Sequence, residues 1–288
     1  MPAADRGLHP GDHAGAPEGA DAGRSGRGVV AARPADRGRS DAAANPGDQR
    51  RGDQVSEVTT GGRNRRTRAA LPQFTREQIR RAIYIDFEGT KVDLPSFLGW
   101  YCEGEWGFFI TEEGMHTAAS YPHAKGSGTA STLTDACRAV MHRAVRERRP
   151  VMAWSTHELT TILALDSWST VERDWWTKCL INALPIGKQW ARRNRVKVPV
   201  VEGQWANRPN KWSLSGFRMA TAYPKIHALH EPGHTAQRLR HVRQQLDKRG
   251  GDFSRLTRVA KGKWTKVLTH NYHDCAGLAH VMNVVYTL

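Results

Sequence analysis

The residue types that could do chemistry begin in the stretch Ile83-Tyr-Ile-Asp-Phe-Glu-Gly-Thr90. Three apolar residues run into Asp86, an aromatic, Glu88 and a glycine. On a strand, side chains alternate faces, so Asp86 and Glu88 would point the same way. Two such carboxylates repel each other and resist desolvation unless something positive meets them, so the pair reads as half of a divalent-cation site. Two more acids could complete it. Glu158 follows the apolar run Val151-Met-Ala-Trp154, and Asp274 lies on a segment with helical apolar spacing, four residues after His270. Carboxylate-rich, sulfur-free ligation suits Mg²⁺ or Mn²⁺. Two such ions about 3.5–4 Å apart would clamp the attacking and leaving oxygens of a hydrolytic displacement. Glu158 has a second candidate role, because Ser155-x-x-Glu158 has the form of a capping box. Asp166 is the alternative ligand.

These side chains need elements to hold them. Arg76–Arg81 reads as a short helix capped by Thr75, and Ala82–Glu88 as the first strand. Leu98–Glu103 and Gly107–Thr111, joined by a turn over residues 103–107, would continue it as an antiparallel meander. His116–Gly128 reads as loop. Ser131–Arg148 is the clearest helix, with Leu133, Ala136, Cys137, Val140, Met141, Ala144 and Val145 on one apolar face and Thr132 as its cap. Val151–Trp154 then returns as a strand, and a helix follows to about Leu165. Asp174–Ala183, Ile186–Arg193 and the basic stretch His234–Arg249 read as helices. So does Leu268–Val285, with Cys275, Leu278, Ala279, Met282 and Val285 inward and His270 and Asp274 on one flank.

Composition divides the chain. No Phe, Trp or Tyr precedes Phe74, whereas twelve of the 27 glycines and twelve arginines do. Such a segment cannot bury enough apolar surface to offset its ordering entropy, so residues 1–73 are expected to be a disordered Arg/Gly/Ala-rich tail and residues 74–288 one domain. The tail carries twelve Arg against nine acids, or +3 of the total +15, which leaves +12 on the domain. That excess points to a polyanion, with nucleic acid the leading partner. From Lys188 to Arg218, cations alternate with tryptophans. Lys188, Trp190, Arg192, Arg193, Lys211 and Trp212 are candidates for stacking bases and pairing phosphates along a single strand; the same tryptophans could equally fill the core under a basic rim. The four cysteines are scattered, which argues against a disulfide framework or a cysteine zinc site and fits reduced thiols in a cytoplasmic protein. No apolar run reaches membrane-spanning length, no signal core is evident, and neither a phosphate-binding glycine loop nor a nucleophile elbow is present.

Two of these motifs carry a family resemblance. Ile85-Asp-Phe-Glu-Gly-Thr90 resembles the first motif of DEDD-type exonucleases of the ribonuclease H-like superfamily, a strand bearing Asp-x-Glu. His270-Asn-Tyr-His-Asp-Cys-Ala-Gly-Leu278 resembles their third motif, a helix whose Asp follows a His or Tyr base by four or five residues. The middle motif departs: Ala153-Trp-Ser-Thr-His-Glu158 lacks the usual Asn and aromatic and has Glu where Asp is expected. The resemblance spans about residues 82–285. It implies a ribonuclease H-like α/β fold, a mixed sheet flanked by helices. It also implies a two-metal 3′–5′ exonuclease in which Asp86, Glu88, Glu158 and Asp274 hold the ions, Asp86 bridges them, and His270 helps deprotonate the attacking water. The alternative left open by the middle motif is a nucleic-acid-binding module of the same fold without turnover.

Overall fold

The computed structural model describes residues 73–89, 94–123, 125–200, 212–224 and 234–287. The expected tail, apart from residue 73, lies outside them, as does Lys211. Chain order is α1 (Arg76–Arg80), β1 (Ile83–Glu88), β2 (Phe97–Cys102), β3 (Glu105–Ile110), a 3₁₀ helix (Glu113–Ser120), β4 (Gly126–Ala130), α2 (Leu133–Glu147), β5 (Val151–Ala153), α3 (His157–Leu163), α4 (Thr170–Cys179), β6 (Leu180–Asn182), α5 (Ala183–Arg193), α6 (Leu214–Ala220), α7 (Thr235–Asp247), a 3₁₀ turn (Phe253–Arg255) and α8 (Arg258–Thr287). The protein is therefore α/β, with a mixed six-stranded sheet flanked by helices, its strands ordered β4-β3-β2-β1-β5-β6.

The meander forms as its alternation implies. β1 pairs antiparallel with β2, Asp86 facing Gly99 across the ladder, and β2 pairs antiparallel with β3. The turn between β2 and β3 is tighter than the five-residue break suggests. Glu103 and Gly104 alone make it, both at positive φ, the backbone a two-residue hairpin requires. β5 and β6 run parallel to β1.

Alternation along β1 sets the two layers. Ile83 and Ile85 face α2, α3 and α4 together with Leu98, Val151 and Ala153. Tyr84 faces the opposite layer, packing with Ile79 of α1, Ile186 of α5 and Leu278 and Met282 of α8, and its hydroxyl donates to the Ile79 carbonyl at 2.7 Å. By the same period, Asp86 and Glu88 open toward α8. Helix α8 has 30 residues and spans about 45 Å at the usual rise. It lies across β1 and β2 and against α1, α5, α6 and α7.

Several expectations need correction. His116–Gly128 is not a loop: it holds most of the first 3₁₀ helix and the start of β4, which pairs parallel with β3. The glycines that give this stretch a loop-like composition are packing devices. A Cβ at Gly126 would lie 2.0 Å from the Trp106 carbonyl oxygen, and one at Gly128 2.2 Å from the Phe108 ring. Residues 180–182 do not continue the helix before them; they form β6, too short to show a period. Val145 falls off the apolar face of α2 and is exposed. Helix α8 begins ten residues before Leu268, because Ala260, Trp264 and Val267 continue its buried stripe through a lysine-rich stretch. Among the described residues, no helix is long and apolar enough to cross a membrane.

Close approach of α8 to β2 has a measurable consequence. A Cβ at Gly99 would sit 1.6 Å from Asn271 Oδ1. Gly99→Ala should lower the free energy of unfolding by about 1–3 kcal/mol or more, through overpacking and loss of the Asn271 contacts. Urea denaturation followed by circular dichroism measures it, and a midpoint unchanged from wild type would contradict this packing.

Candidate metal centre

Three elements deliver the acids. β1 carries Asp86 and Glu88 at its end, α8 carries His270 and Asp274, and the start of α3 carries Glu158. Facing β1 and α8 close the gap between residues nearly two hundred positions apart. His270 Nε2 lies 3.7 Å from Glu88 Oε1 and 3.3 Å from Asp274 Oδ2. One candidate ligand atom from each of Glu88, His270 and Asp274 lies within 4.8 Å of the others. His270 thus stands inside the ligand-spaced group, whereas the sequence assigned it only a proton-transfer role. Asp86 and Glu158 are not in that group but share the pocket, and both contribute to its field. Asp166 is exposed and belongs to no such group among the described residues.

Burial sets the electrostatics. Desolvation, followed by the charges of Glu88, Asp274 and Glu158, holds the Asp86 carboxyl well above the usual carboxylate range, against a lowering hydrogen bond from Asn271. Desolvation pushes Glu88 up to about 7, opposed by His270 and reinforced by Asp274. Glu158 is raised too, chiefly by burial. Its Oε2 accepts from the Ser155 hydroxyl at 3.0 Å, and Ser155 Oγ accepts from the His157 N–H. The N-cap of α3 is Thr156, which makes no side-chain cap bond; Ser155, one residue earlier, links the His157 N–H to the Glu158 carboxylate instead. Glu88 Oε1 and His270 Nδ1 are buried and have no hydrogen-bond partner among the described residues. A pocket of raised carboxylates, an imidazole and an unsatisfied carboxylate oxygen is the donor set a divalent cation would relieve.

Sequence reading missed two residues that shape this pocket. Asn271 is fully buried. Its Nδ2 donates to the Asp86 carbonyl at 3.2 Å and to Asp86 Oδ2 at 3.0 Å, and its Oδ1 accepts from the Trp106 indole N–H at 3.3 Å. The available signal was a single polar residue on the apolar stripe Trp264, Leu268, Cys275, Leu278. Arg218 on α6 is also buried and donates to Asp274 Oδ1 at 2.5 Å. Nothing local marked it, since it sits in a basic, tryptophan-containing stretch and reads there as a surface cation.

No protein-family model, curated protein or solved structure matches this chain.

The residues expected to meet nucleic acid separate. Trp190 is 7% exposed and packs with Ala191, Val198, Phe217 and Val281, so it is core rather than a stacking platform. Arg192 and Arg193 are exposed and Lys188 half-buried. Lys188 Nζ and Arg192 Cζ each lie 5.7 Å from the Trp212 ring centroid, within cation–π range. Arg192, Arg195, Lys197 and Trp212 line a cleft of about 710 Å³.

The raised carboxylates give a pH signature. Glu88 holds its proton more tightly folded than unfolded, so the native chain binds more protons, and unfolding free energy is lost as pH rises from about 4.5 to about 7. In EDTA, Glu88→Gln should be close to wild type in stability near pH 4.5 and gain on it up to pH 7, by about 1.4 kcal/mol per pH unit at most. Thermal melts of both proteins across that range test it; a gap that narrows with rising pH would contradict the assignment.

Proposed function

We propose that the chain is a metal-dependent nuclease hydrolysing nucleic-acid phosphodiesters, a cytoplasmic 3′–5′ exonuclease on a ribonuclease H-like core. The observation that carries this reading is the meeting of Asp86 and Glu88 from β1 with His270 and Asp274 from α8, with Glu158 close enough to act on Asp86. The antiparallel β1–β3 meander and the later strand β5 parallel to β1, reached through α2, with the acid pair at the end of β1, support the core assignment, and β4 is an added edge strand between the meander and α2 in the chain.

Glu88, His270 and Asp274 would hold one Mg²⁺ or Mn²⁺ ion and Asp86 with Glu158 would contribute to a second, supplying when bound charge neutralisation and Lewis-acid polarisation at a phosphodiester. The chain's own groups do the rest. Asn271 fixes the Asp86 carboxylate by one oxygen. Asp274 turns Oδ2 to His270 Nε2 at 3.3 Å, which fixes the orientation of the imidazole beside Glu88. Lys188, Arg192, Arg193 and Trp212 offer cationic and aromatic surface to a single strand.

Asp86→Asn removes a charge but keeps the shape and can keep the Asn271 contact. It should lower Mg²⁺- or Mn²⁺-dependent cleavage of a labelled oligonucleotide by at least about 100-fold while leaving the fold intact. An unchanged rate in the folded variant refutes the reading. The Arg218 bond to Asp274 and the Ser155 bond to Glu158 occupy two of the acids. They favour, as a second reading, a ribonuclease H-like module that binds nucleic acid without cutting it. A gel shift in EDTA with no cleavage in either metal would identify that module.

A further inference from the structure

Arg218 is 4% exposed and comes from the seven-residue helix α6. A buried guanidinium is tolerated only where its charge is met. Its Nη1 meets Asp274 Oδ1 at 2.5 Å, and its Cζ lies 5.1 Å from the Tyr223 ring centroid. Helix α8 makes room for its stem at Gly277, where a Cβ would lie 2.6 Å from Arg218 Cδ. Arg218 Nε is buried with no hydrogen-bond partner among the described residues. The side chain is therefore held by Asp274, the Tyr223 face and the Gly277 notch.

Asp274 is divided between two partners: Oδ1 takes Arg218, and Oδ2 faces His270 within the ligand-spaced group. We propose that Arg218 is a resident counter-cation of the acidic pocket, a positioning residue that holds Asp274 by one oxygen and competes electrostatically with any metal ion bound at the other. Resting on the metal-site reading above, it adds to it a residue that sets cation affinity. Arg218 steadies the metal-free pocket by supplying positive charge where the acids converge. The same charge repels an incoming divalent cation, and Asp274 is left to offer a single oxygen.

Mn²⁺ binding to the full chain, followed by electron paramagnetic resonance and by the metal-induced rise in melting temperature, tests this without any activity assay. Arg218→Gln should melt lower than wild type in EDTA, bind Mn²⁺ on the order of tenfold more tightly, and gain more from it, recovering part of the deficit. Arg218→Lys keeps the charge and should bind Mn²⁺ much as wild type does. Gly277→Ala keeps every ionisable group but displaces the Arg218 stem, and should shift affinity in the direction of Arg218→Gln even if that variant fails to fold without metal. If wild type binds Mn²⁺ and both Arg218→Gln and Gly277→Ala bind it equally or more weakly, Arg218 is only a structural partner of Asp274 and the inference falls alone. If wild type binds no Mn²⁺, the metal-site reading and this inference fall together.

Discussion

Like charges forced together out of water are the constraint on which this structure turns. Asp86, Glu88, Glu158 and Asp274 come from three separate elements; burial raises the first three above ordinary carboxylates, and neighbouring acids add to the effect at Asp86 and Glu88. A fold gains no stability from such an arrangement on its own. The surrounding residues meet the demand in different ways. Asn271 donates to Asp86, Ser155 donates to Glu158, and Arg218 and His270 divide the two oxygens of Asp274. Glu88 keeps one oxygen without a hydrogen bond among the described residues. The acids are thus held in place one by one while burial still disfavours their charged forms, a cost that a bound cation would relieve.

The sheet and α8 cooperate to make this geometry. Alternation along β1 turns Tyr84 into an apolar core and then, two and four residues later, turns two carboxylates toward the same helix. Gly99, opposite Asp86, removes the side chain that would otherwise separate α8 from the sheet, and Asn271 fills the space with hydrogen bonds to the strands on either side of β2, to Asp86 of β1 and Trp106 of β3. Gly277 does the equivalent on the far side of the helix for Arg218. Each glycine lets a polar side chain of a facing element enter where a methyl group would exclude it.

Local signals in the sequence were sufficient wherever a period was long enough to read. The β1–β3 meander, α2 and the acid pair with His270 and Asp274 follow from alternation or 3.6-residue spacing. What escaped has a common physical origin in tertiary packing. The glycines of β4 read as loop because the rings that require them lie on another strand. Three residues of β6 carry no period of their own. Trp190 reads equally well as a stacking surface or as core, and only the packing of α5 against Phe217 and Val281 decides. Arg218 reads as a surface cation because its partner is 56 residues away. A charge with a distant partner looks the same in a sequence as a charge with none.

The bond between Asn271 and Asp86 spans 185 residues. Loop closure of that length contributes entropy against assembly that local meander contacts do not face, and contacts of high sequence separation form late and slowly. During synthesis, β1 and its hairpin partners can pair long before residue 271 leaves the ribosome. Their acid pair then waits without its opposing helix. The pocket is closed only once α8 docks, so a nascent or truncated chain lacking that helix carries the two strand carboxylates but no enclosed centre around them.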